Sequence, residues 1–212
     1  CLTRDGQWLR TKAFPLMKAV ADFWVSRVTR NDDGSYSICN VVGADEYANG
    51  VDDNAFTNGA AIRALEYACE AARICNEPVP EIWEEVGKGI RILRFKDGVT
   101  REHATYNGEM IKQADVNLLG YPLYFVGDAE SQKKDMEYYV DKIDPQNGPA
   151  MSYSVFCVQY ARMGDAKHAY EMFCRCYQPN LRAPFGVLAE TPTSDNPYFM
   201  TGAGGLLQAV IN

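Results

Sequence analysis

The sequence lacks the features that mark nucleic-acid-binding, membrane-spanning and metal-binding proteins. It has no cluster of basic residues, and its formal net charge of −7 disfavours binding to nucleic acid or to anionic membranes. No apolar run approaches the length that crosses a bilayer. Among seven cysteines and two histidines there is no Cys-x-x-Cys pair and no spacing typical of metal ligands. We therefore predict no metal, no cofactor, no nucleic-acid partner and no membrane partner.

The chain also has no Asn-x-Ser/Thr sequon, and its seven cysteines are an odd number. Four of them, Cys69, Cys75, Cys157 and Cys174, lie in apolar helical contexts, where a free thiol behaves as a small hydrophobic residue. Reduced core thiols are therefore expected rather than disulfides. Both observations favour an intracellular, cytoplasmic location.

What the sequence does contain is a series of amphipathic helical patterns separated by turn residues. Hydrophobic residues make up 47% of the chain and charged residues 23%, as in an ordinary globular domain. Apolar residues recur at helical spacing, and no strand pattern repeats. The pattern predicts an all-α array of helical hairpins. The predicted helices cover residues 12–28, 55–75, 81–93, 113–125, 129–143, 150–163, 165–177 and 202–211.

A loop dense in acids and amides, residues 43–58, separates the first two predicted helices. Loops held between rigid helices often carry chemistry, which is one interpretation of this segment. The other interpretation is a solvated loop that only caps the following helix, a task suited to Asp53 or Asn54. The residues by themselves leave both interpretations open.

Residues 43–47, Gly-Ala-Asp-Glu-Tyr, and residues 51–58, Val-Asp-Asp-Asn-Ala-Phe-Thr-Asn, resemble the general-acid segment of glycoside hydrolase family 65. Three further segments resemble the same family in the same order, namely 14–24, 112–116 and 201–210. Four ordered motifs make the resemblance specific over nearly the whole chain. The family includes acid trehalases, the maltose, trehalose and kojibiose phosphorylases, and protein-glucosylgalactosylhydroxylysine glucosidase.

The resemblance implies an (α/α)6 toroid of paired helices, of which this chain is similar to the later part. We expect residues 1–212 to form a single partial barrel domain. Both ends interrupt a helical pattern, so the family's N-terminal β-sandwich, its first barrel helices and its C-terminal sheet domain are expected to be absent. The family's Trp-Asp sugar-binding motif belongs to that absent part, which implies an incomplete −1 subsite.

The resemblance also implies a pair of carboxyl groups, since glycoside hydrolysis uses one to protonate the leaving oxygen and another to activate water. It makes Glu46 the general acid. It puts Glu190 at the position of the general base in the family's hydrolases, whereas an exposed loop glutamate is the alternative interpretation. Asp45 and Asp52 are expected to supply negative charge near Glu46.

Lys112 and Gln113 match the family residues that hydrogen-bond the glucose at the −1 subsite, with Glu109, Tyr106 and Asn107 as further candidates. Lysine offers three donors and glutamine both a donor and an acceptor, which suits neighbouring sugar hydroxyls. A polar helix start is the alternative interpretation of Lys112 and Gln113.

The glycines in the segment 201–205 have three interpretations. At a helix start their N–H groups would bind phosphate or position a sugar hydroxyl. Otherwise they only permit close helix packing.

The function that these resemblances predict is an inverting α-glucoside hydrolase, most like protein-glucosylgalactosylhydroxylysine glucosidase. Its substrate would be an α-glucoside, either a small molecule or linked to a protein, and the enzyme would remove glucose from the disaccharide of that substrate. One alternative is a disaccharide phosphorylase of the maltose, trehalose or kojibiose type, which uses phosphate in place of a catalytic base. Another is a non-catalytic carbohydrate-binding fragment, and the oligomeric state is left open.

Overall fold

The computed structural model describes residues 4–125, 128–196 and 198–212, and helices are their main regular structure. A π-helical turn joins the first two helices, and two short 3₁₀ turns, Val116–Leu119 and Gln178–Asn180, interrupt the later loops. The α-helices are α1 (Gly6–Trp8), α2 (Phe14–Arg27), α3 (Ala55–Cys75), α4 (Glu81–Gly89), α5 (Ala129–Tyr139), α6 (Ser152–Arg162), α7 (Ala166–Arg175) and α8 (Met200–Ile211).

Two small antiparallel ladders accompany these helices. Strand β1 (Val28–Arg30) pairs with β2 (Tyr36–Ile38), and β3 (Leu181–Arg182) pairs with β4 (Val187–Leu188). The prediction of a helical array is thus confirmed for the main elements, while the short ladders serve as connections between them. No helix within the described residues is long and apolar enough to cross a membrane.

Helix α3 shows how local sequence decides both ends of an element. The side chain of Asn54 accepts a hydrogen bond from the backbone N–H of Thr57 at 2.9 Å, which satisfies a donor of the first turn. At the other end, Asn76 adopts the left-handed conformation with φ 58°, and its N–H caps the last carbonyls. The predicted helix 55–75 is therefore confirmed at both boundaries.

The helix predicted over residues 113–125 is wrong. Only the 3₁₀ turn Val116–Leu119 forms there. The preceding residue, Asp115, points its carboxylate at the backbone N–H of Ala44, 2.8 Å away, and the N–H of Lys112 donates to Asp45 at 2.7 Å. Polar groups at the start of this segment therefore bond to the distant loop 43–58, and a tertiary contact replaces the helical turn that the apolar spacing predicted.

Two hydrophobic clusters hold the array together. One is centred on α3 and α4 and includes Leu65 and Trp83. The other joins α5, α6 and α7 and includes Tyr139 and Phe156. The segment that carries Lys112 and Gln113 is anchored in the second cluster by its neighbours Ile111 and Ala114.

The cysteines follow the expected pattern of free thiols. Cys69, Cys75, Cys157 and Cys176 are buried, whereas Cys39 and Cys174 are partly exposed. Burial raises the pKa of Cys69 and of Cys157, as expected for thiols in apolar surroundings. Cys1 lies outside the described residues.

Candidate active site

The acid loop, defined here as residues 43–54, is anchored on one buried carboxylate. Asp115 has no exposed surface. It accepts hydrogen bonds from the N–H of Ala44 at 2.8 Å, from Nδ2 of Asn54 at 3.0 Å and from the N–H of Phe56 at 3.4 Å. Burial raises the pKa of Asp115, although these donors favour its ionised form. The start of the loop and the first turn of α3 are thereby tied to a single side chain.

The same close approach explains the glycine that begins the loop. A Cβ atom on Gly43 would lie 2.3 Å from Nδ2 of Asn54 and 2.5 Å from Oδ2 of Asp115. Both neighbours are fully buried, so neither can move away cheaply. Only glycine lets the backbone come this near to the carboxylate.

The far end of the acid loop is held by a second buried carboxylate, that of Asp53. It accepts hydrogen bonds from Nη2 of Arg91 at 2.9 Å, from Oγ of Ser37 at 3.0 Å and from Nδ2 of Asn58 at 3.3 Å. Its backbone has a φ of 53°, a left-handed conformation that is uncommon outside glycine. Both ends of the loop are therefore fixed to neighbouring elements, as a rigid catalytic loop requires.

The carboxylates of Asp45 and Asp52 accept hydrogen bonds from backbone N–H groups. Asp45 is buried and accepts the N–H of Lys112 at 2.7 Å and that of Tyr47 at 3.2 Å. Burial raises the pKa of Asp45, and the two N–H donors oppose that shift. Asp52 accepts the N–H of Asn40 at 2.8 Å. The structure thus gives both residues a part in shaping the acid loop.

Glu46 projects from the acid loop towards solvent, with 59% of its side chain exposed. The ammonium group of Lys112 donates a hydrogen bond to its Oε2 atom, and this bond raises the pKa of Lys112. The next residue, Gln113, donates from Nε2 to the carbonyl of Ala44. The two residues predicted to bind sugar therefore both contact the acid loop, one through the candidate acid and one through the backbone beside it.

Glu190 lies in the base loop, defined here as residues 189–196, and is firmly held. Its backbone carbonyl accepts the N–H of Ala150 at 3.0 Å and Nδ2 of Asn180 at 3.1 Å. Its Oε2 atom accepts Nδ2 of Asn196 at 3.0 Å. After the bond to Glu46, the negative charge of Glu190 also helps to raise the pKa of Lys112. Lys112 thus contacts Glu46 directly and lies within the electrostatic influence of Glu190.

The sequence analysis missed Glu102. Its side chain is fully buried beside the carboxyl groups of Asp45 and Asp115. Burial, followed by the negative charges of Asp115 and Asp45, raises the pKa of Glu102 to about 9. The residue lies in a polar, irregular stretch, where an acid is ordinarily solvated, so no local signal pointed to it. At neutral pH it is a neutral carboxylic acid beneath the acid loop.

This buried acid predicts a specific dependence of stability on pH. Between the ordinary pKa of 4.5 and about 9, Glu102 stays protonated when folded but ionises when unfolded. The protonated Glu102 therefore adds its full stabilisation to the folded state below pH 4.5. As pH rises from 4.5 towards 9, this part of the free energy of unfolding decreases by at most about 1.4 kcal/mol per pH unit. Glu102→Gln should remove this part of the slope, as measured by denaturant unfolding across that range.

The matched control for this measurement is Glu130→Gln, because the Glu130 side chain is 80% exposed and pairs only with a surface lysine. It should leave the slope unchanged. An unchanged slope in Glu102→Gln as well would mean that Glu102 is ionised in the folded protein.

An open cavity of about 270 Å³ lies beside the acid loop. Its lining includes Tyr47, Asn49, His103, Tyr106 and Glu109. Burial lowers the pKa of His103, which keeps its ring neutral. Aromatic rings combined with a few polar groups are a common lining of small-molecule sites.

The glycine-rich segment 201–205 lies at the start of α8 (Met200–Ile211), as predicted. A Cβ atom on Gly202 would lie 2.8 Å from Cβ of Ala150, and one on Gly205 would lie 2.5 Å from Oγ of Ser154. These contacts join α8 to α6 and to the turn before it. The geometry supports the packing interpretation of Gly202 and Gly205.

Comparison with known proteins gives three findings. Residues 1–106 match the family model described as the central catalytic domain of glycosyl hydrolase family 65. The chain is similar to a kojibiose hydrolase from Mucilaginibacter mallensis, with 49% identity over 211 residues that cover 100% of this chain and 31% of the relative. It is also similar to a protein-glucosylgalactosylhydroxylysine glucosidase from Dictyostelium discoideum, with 38% identity over 99% of this chain and 30% of the relative.

Among solved structures, the chain resembles one named "Putative kojibiose phosphorylase from human microbiome". The TM-score is 0.70 at 17% sequence identity, over 98% of this chain and 32% of that one. At this identity the likeness concerns the fold. The chain spans about a third of the length of the curated relatives that it matches.

Proposed function

The chain belongs to glycosyl hydrolase family 65, and from that premise we propose that the full-length protein hydrolyses an α-glucoside with inversion at the anomeric carbon. The observation that carries this proposal is the position of Lys112, whose ammonium group donates a hydrogen bond to Glu46. Glu46 and Glu190 lie on loops that are each fixed by several hydrogen bonds, and we assign them as the pair of carboxyl groups that glycoside hydrolysis needs.

In the proposed reaction, Glu46 donates a proton to the glycosidic oxygen as the bond to the anomeric carbon breaks. Glu190 removes a proton from a water molecule on the opposite face of the sugar, and that water attacks the anomeric carbon. The α-glucoside is thereby converted into β-glucose and the free alcohol. An inverting enzyme keeps its two carboxyl groups about 6.5–9.5 Å apart so that this water fits between acid and base.

Lys112 and Gln113 are proposed to hold the glucose that reacts. In the free protein, Lys112 donates to Glu46, and sugar hydroxyls would replace Glu46 as its partner on binding. That exchange would release the Glu46 carboxyl to act on the glycosidic oxygen. Nε2 of Gln113 donates a hydrogen bond to the carbonyl of Ala44. This bond fixes the side-chain amide and leaves its Oε1 atom to accept a hydrogen bond from a sugar hydroxyl.

The substrates proposed are kojibiose and the glucosylgalactosyl disaccharide on hydroxylysine. Kojibiose is tested first because the curated relatives at 49% and 48% identity are named kojibiose hydrolases. The sequence analysis favoured the hydroxylysine-linked disaccharide, and relatives with that activity in their name are 38% identical.

We also propose that the described helices are consecutive hairpins of an (α/α)6 toroid within a longer chain. The support is the TM-score of 0.70 against a solved structure and the pairing of α2 with α3 and of α6 with α7. A partial domain of this kind would take the rest of its sugar site from segments outside residues 1–212.

The experiment that tests the function uses the full-length protein with each disaccharide, with and without inorganic phosphate. Proton NMR during the first minutes should show β-glucose before mutarotation, at a rate independent of phosphate. Release of α-glucose first would contradict inversion. A strict need for phosphate, with glucose 1-phosphate as product, would identify a phosphorylase. Sugar binding without turnover would leave only a carbohydrate-binding role.

A further inference from the structure

We propose that Asp144 is a positioning residue, and that the turn it begins sets the spacing between the acid loop and the base loop. This turn, residues 144–150, is called the bridging turn here. The inference rests on the proposed function, because it concerns the same pair of carboxyl groups, Glu46 and Glu190. Asp144 lies in none of the four sequence motifs, and Tyr47, its partner in the acid loop, is the last residue of the motif 43–47.

On the acid side, the contact runs through Tyr47, the residue directly after Glu46. The Tyr47 hydroxyl donates a hydrogen bond to Oδ2 of Asp144 at 2.8 Å, across 97 positions of sequence. This bond raises the pKa of Tyr47, so its hydroxyl remains a donor at neutral pH. Glu46 therefore lies between two anchored residues, Asp45 before it and Tyr47 after it, and the Tyr47 hydroxyl fixes the side of the loop that follows Glu46.

Asp144 can anchor this bond because the bridging turn fixes its carboxylate. Oδ1 accepts the N–H of Gln146 at 2.8 Å and the N–H of Asn147 at 3.0 Å, and Oδ2 accepts Nδ2 of Asn147 at 3.0 Å. These donors, with the hydroxyl of Tyr47, hold the pKa of Asp144 far below its ordinary range. The acceptor for Tyr47 is therefore charged and immobile at any working pH.

On the base side, the bridging turn contacts the base loop twice. The N–H of Ala150 donates to the carbonyl of Glu190 at 3.0 Å, and Oγ1 of Thr193 donates to the carbonyl of Gln146 at 3.0 Å. A single seven-residue turn thus bonds to the neighbour of the proposed acid and to the backbone of the proposed base.

The start of the bridging turn is also bonded beside Lys112. The N–H of Asp144 donates to the carbonyl of Ile111 at 2.8 Å, and the N–H of Ile111 donates to the carbonyl of Lys142 at 2.9 Å. Ile111 directly precedes Lys112, whose ammonium group contacts Glu46. The bridging turn is therefore bonded next to all three side chains of the proposed reaction, and Asp144 stands at its start.

A positioning role can be separated from a general structural role by the choice of substrate. An α-glucosyl fluoride loses fluoride without needing a proton, so its hydrolysis needs the base and not the acid. If Tyr47 positions Glu46, then Tyr47→Phe should slow the hydrolysis of a disaccharide much more than that of α-glucosyl fluoride. The ratio of the two rates in one preparation does not depend on how much of the protein is folded.

The experiment measures kcat and KM for kojibiose and for α-glucosyl fluoride in the full-length wild type, Tyr47→Phe and Asp144→Ala. Tyr47→Phe should lower kcat for the disaccharide by about 10–100-fold, as expected for a small misplacement of a reacting group, with KM and the fluoride rate little changed. Asp144→Ala should slow both substrates, because the bridging turn then loses its hold on both loops. Tyr67→Phe is the matched control, since Tyr67 is 51% exposed and Tyr47 is 49% exposed.

An equal loss for both substrates in Tyr47→Phe, or no loss at all, would overturn the positioning role. A fluoride rate unaffected in folded Asp144→Ala would overturn the link to the base. If the wild type hydrolyses neither substrate, the proposed function fails and this inference falls with it. If the wild type is active and only the Tyr47→Phe ratio is unchanged, the proposed function stands and the inference alone is rejected.

Discussion

Glu46→Gln in the full-length protein is expected to lower kcat for a disaccharide by about 10²–10⁴-fold, the usual contribution of a general acid. The amide has nearly the same shape and can still accept the hydrogen bond from Lys112, so the acid loop should keep its conformation. What is lost is the proton that the leaving oxygen needs. Hydrolysis of α-glucosyl fluoride should survive in the same variant, because fluoride leaves without protonation.

The matched control for Glu46 is Glu137→Gln. Both side chains are 59% exposed, and each pairs with a lysine, at 3.6 Å in the case of Glu137 and Lys133. The control should have wild-type kcat on both substrates. Near-normal hydrolysis of the disaccharide by Glu46→Gln would remove Glu46 from the mechanism.

The second large effect is expected at Glu190. Glu190→Gly should lower hydrolysis of both the disaccharide and α-glucosyl fluoride by about 10²–10⁴-fold, since water is no longer deprotonated as it attacks. Azide needs no deprotonation, so adding it should restore turnover and give β-glucosyl azide. The isosteric Glu190→Gln should hydrolyse both substrates as slowly as the glycine variant does. Unlike that variant, it should keep a hydrogen bond from the side chain of Asn196 to the side chain at position 190.

Adding phosphate to the Glu190 variants distinguishes a hydrolase from a phosphorylase. A phosphorylase uses phosphate itself as the nucleophile, so its activity would persist in Glu190→Gln when phosphate is present. Unchanged hydrolysis in both Glu190 variants would show that this side chain is an exposed loop glutamate and not the base.

The boundaries of several helices could be predicted from sequence because capping acts over three or four residues. Asn54, Asp128 and Asp165 each accept a hydrogen bond from a first-turn N–H of the helix that follows. The segment 113–125 failed for the opposite reason. Its apolar spacing is helical, but Asp115 and Lys112 bond to the acid loop, and these contacts with residues 66 to 71 positions away override local preference.

The residues of the candidate site also differ in whether the sequence pointed to them. The resemblance of short motifs to a known family was enough to single out Glu46, Glu190, Lys112 and Gln113 as its candidate residues. Nothing in the local sequence pointed to Glu102, which is an acid in a charged stretch. Glu102 becomes buried only in the folded chain, where the negative charges of Asp45 and Asp115 also act on it.

The sequence by itself determined the helical character of the chain and the caps of its helices, because periodicity and capping are local properties, while the resemblance of its motifs to a family supplied the candidate carboxylates. The tertiary structure alone decided that Lys112 reaches Glu46, that Glu102 is a buried acid with a raised pKa and that Tyr47 bonds to Asp144. The physical reason is that burial and charge depend on which distant segments become neighbours, here segments 66 and 97 positions apart.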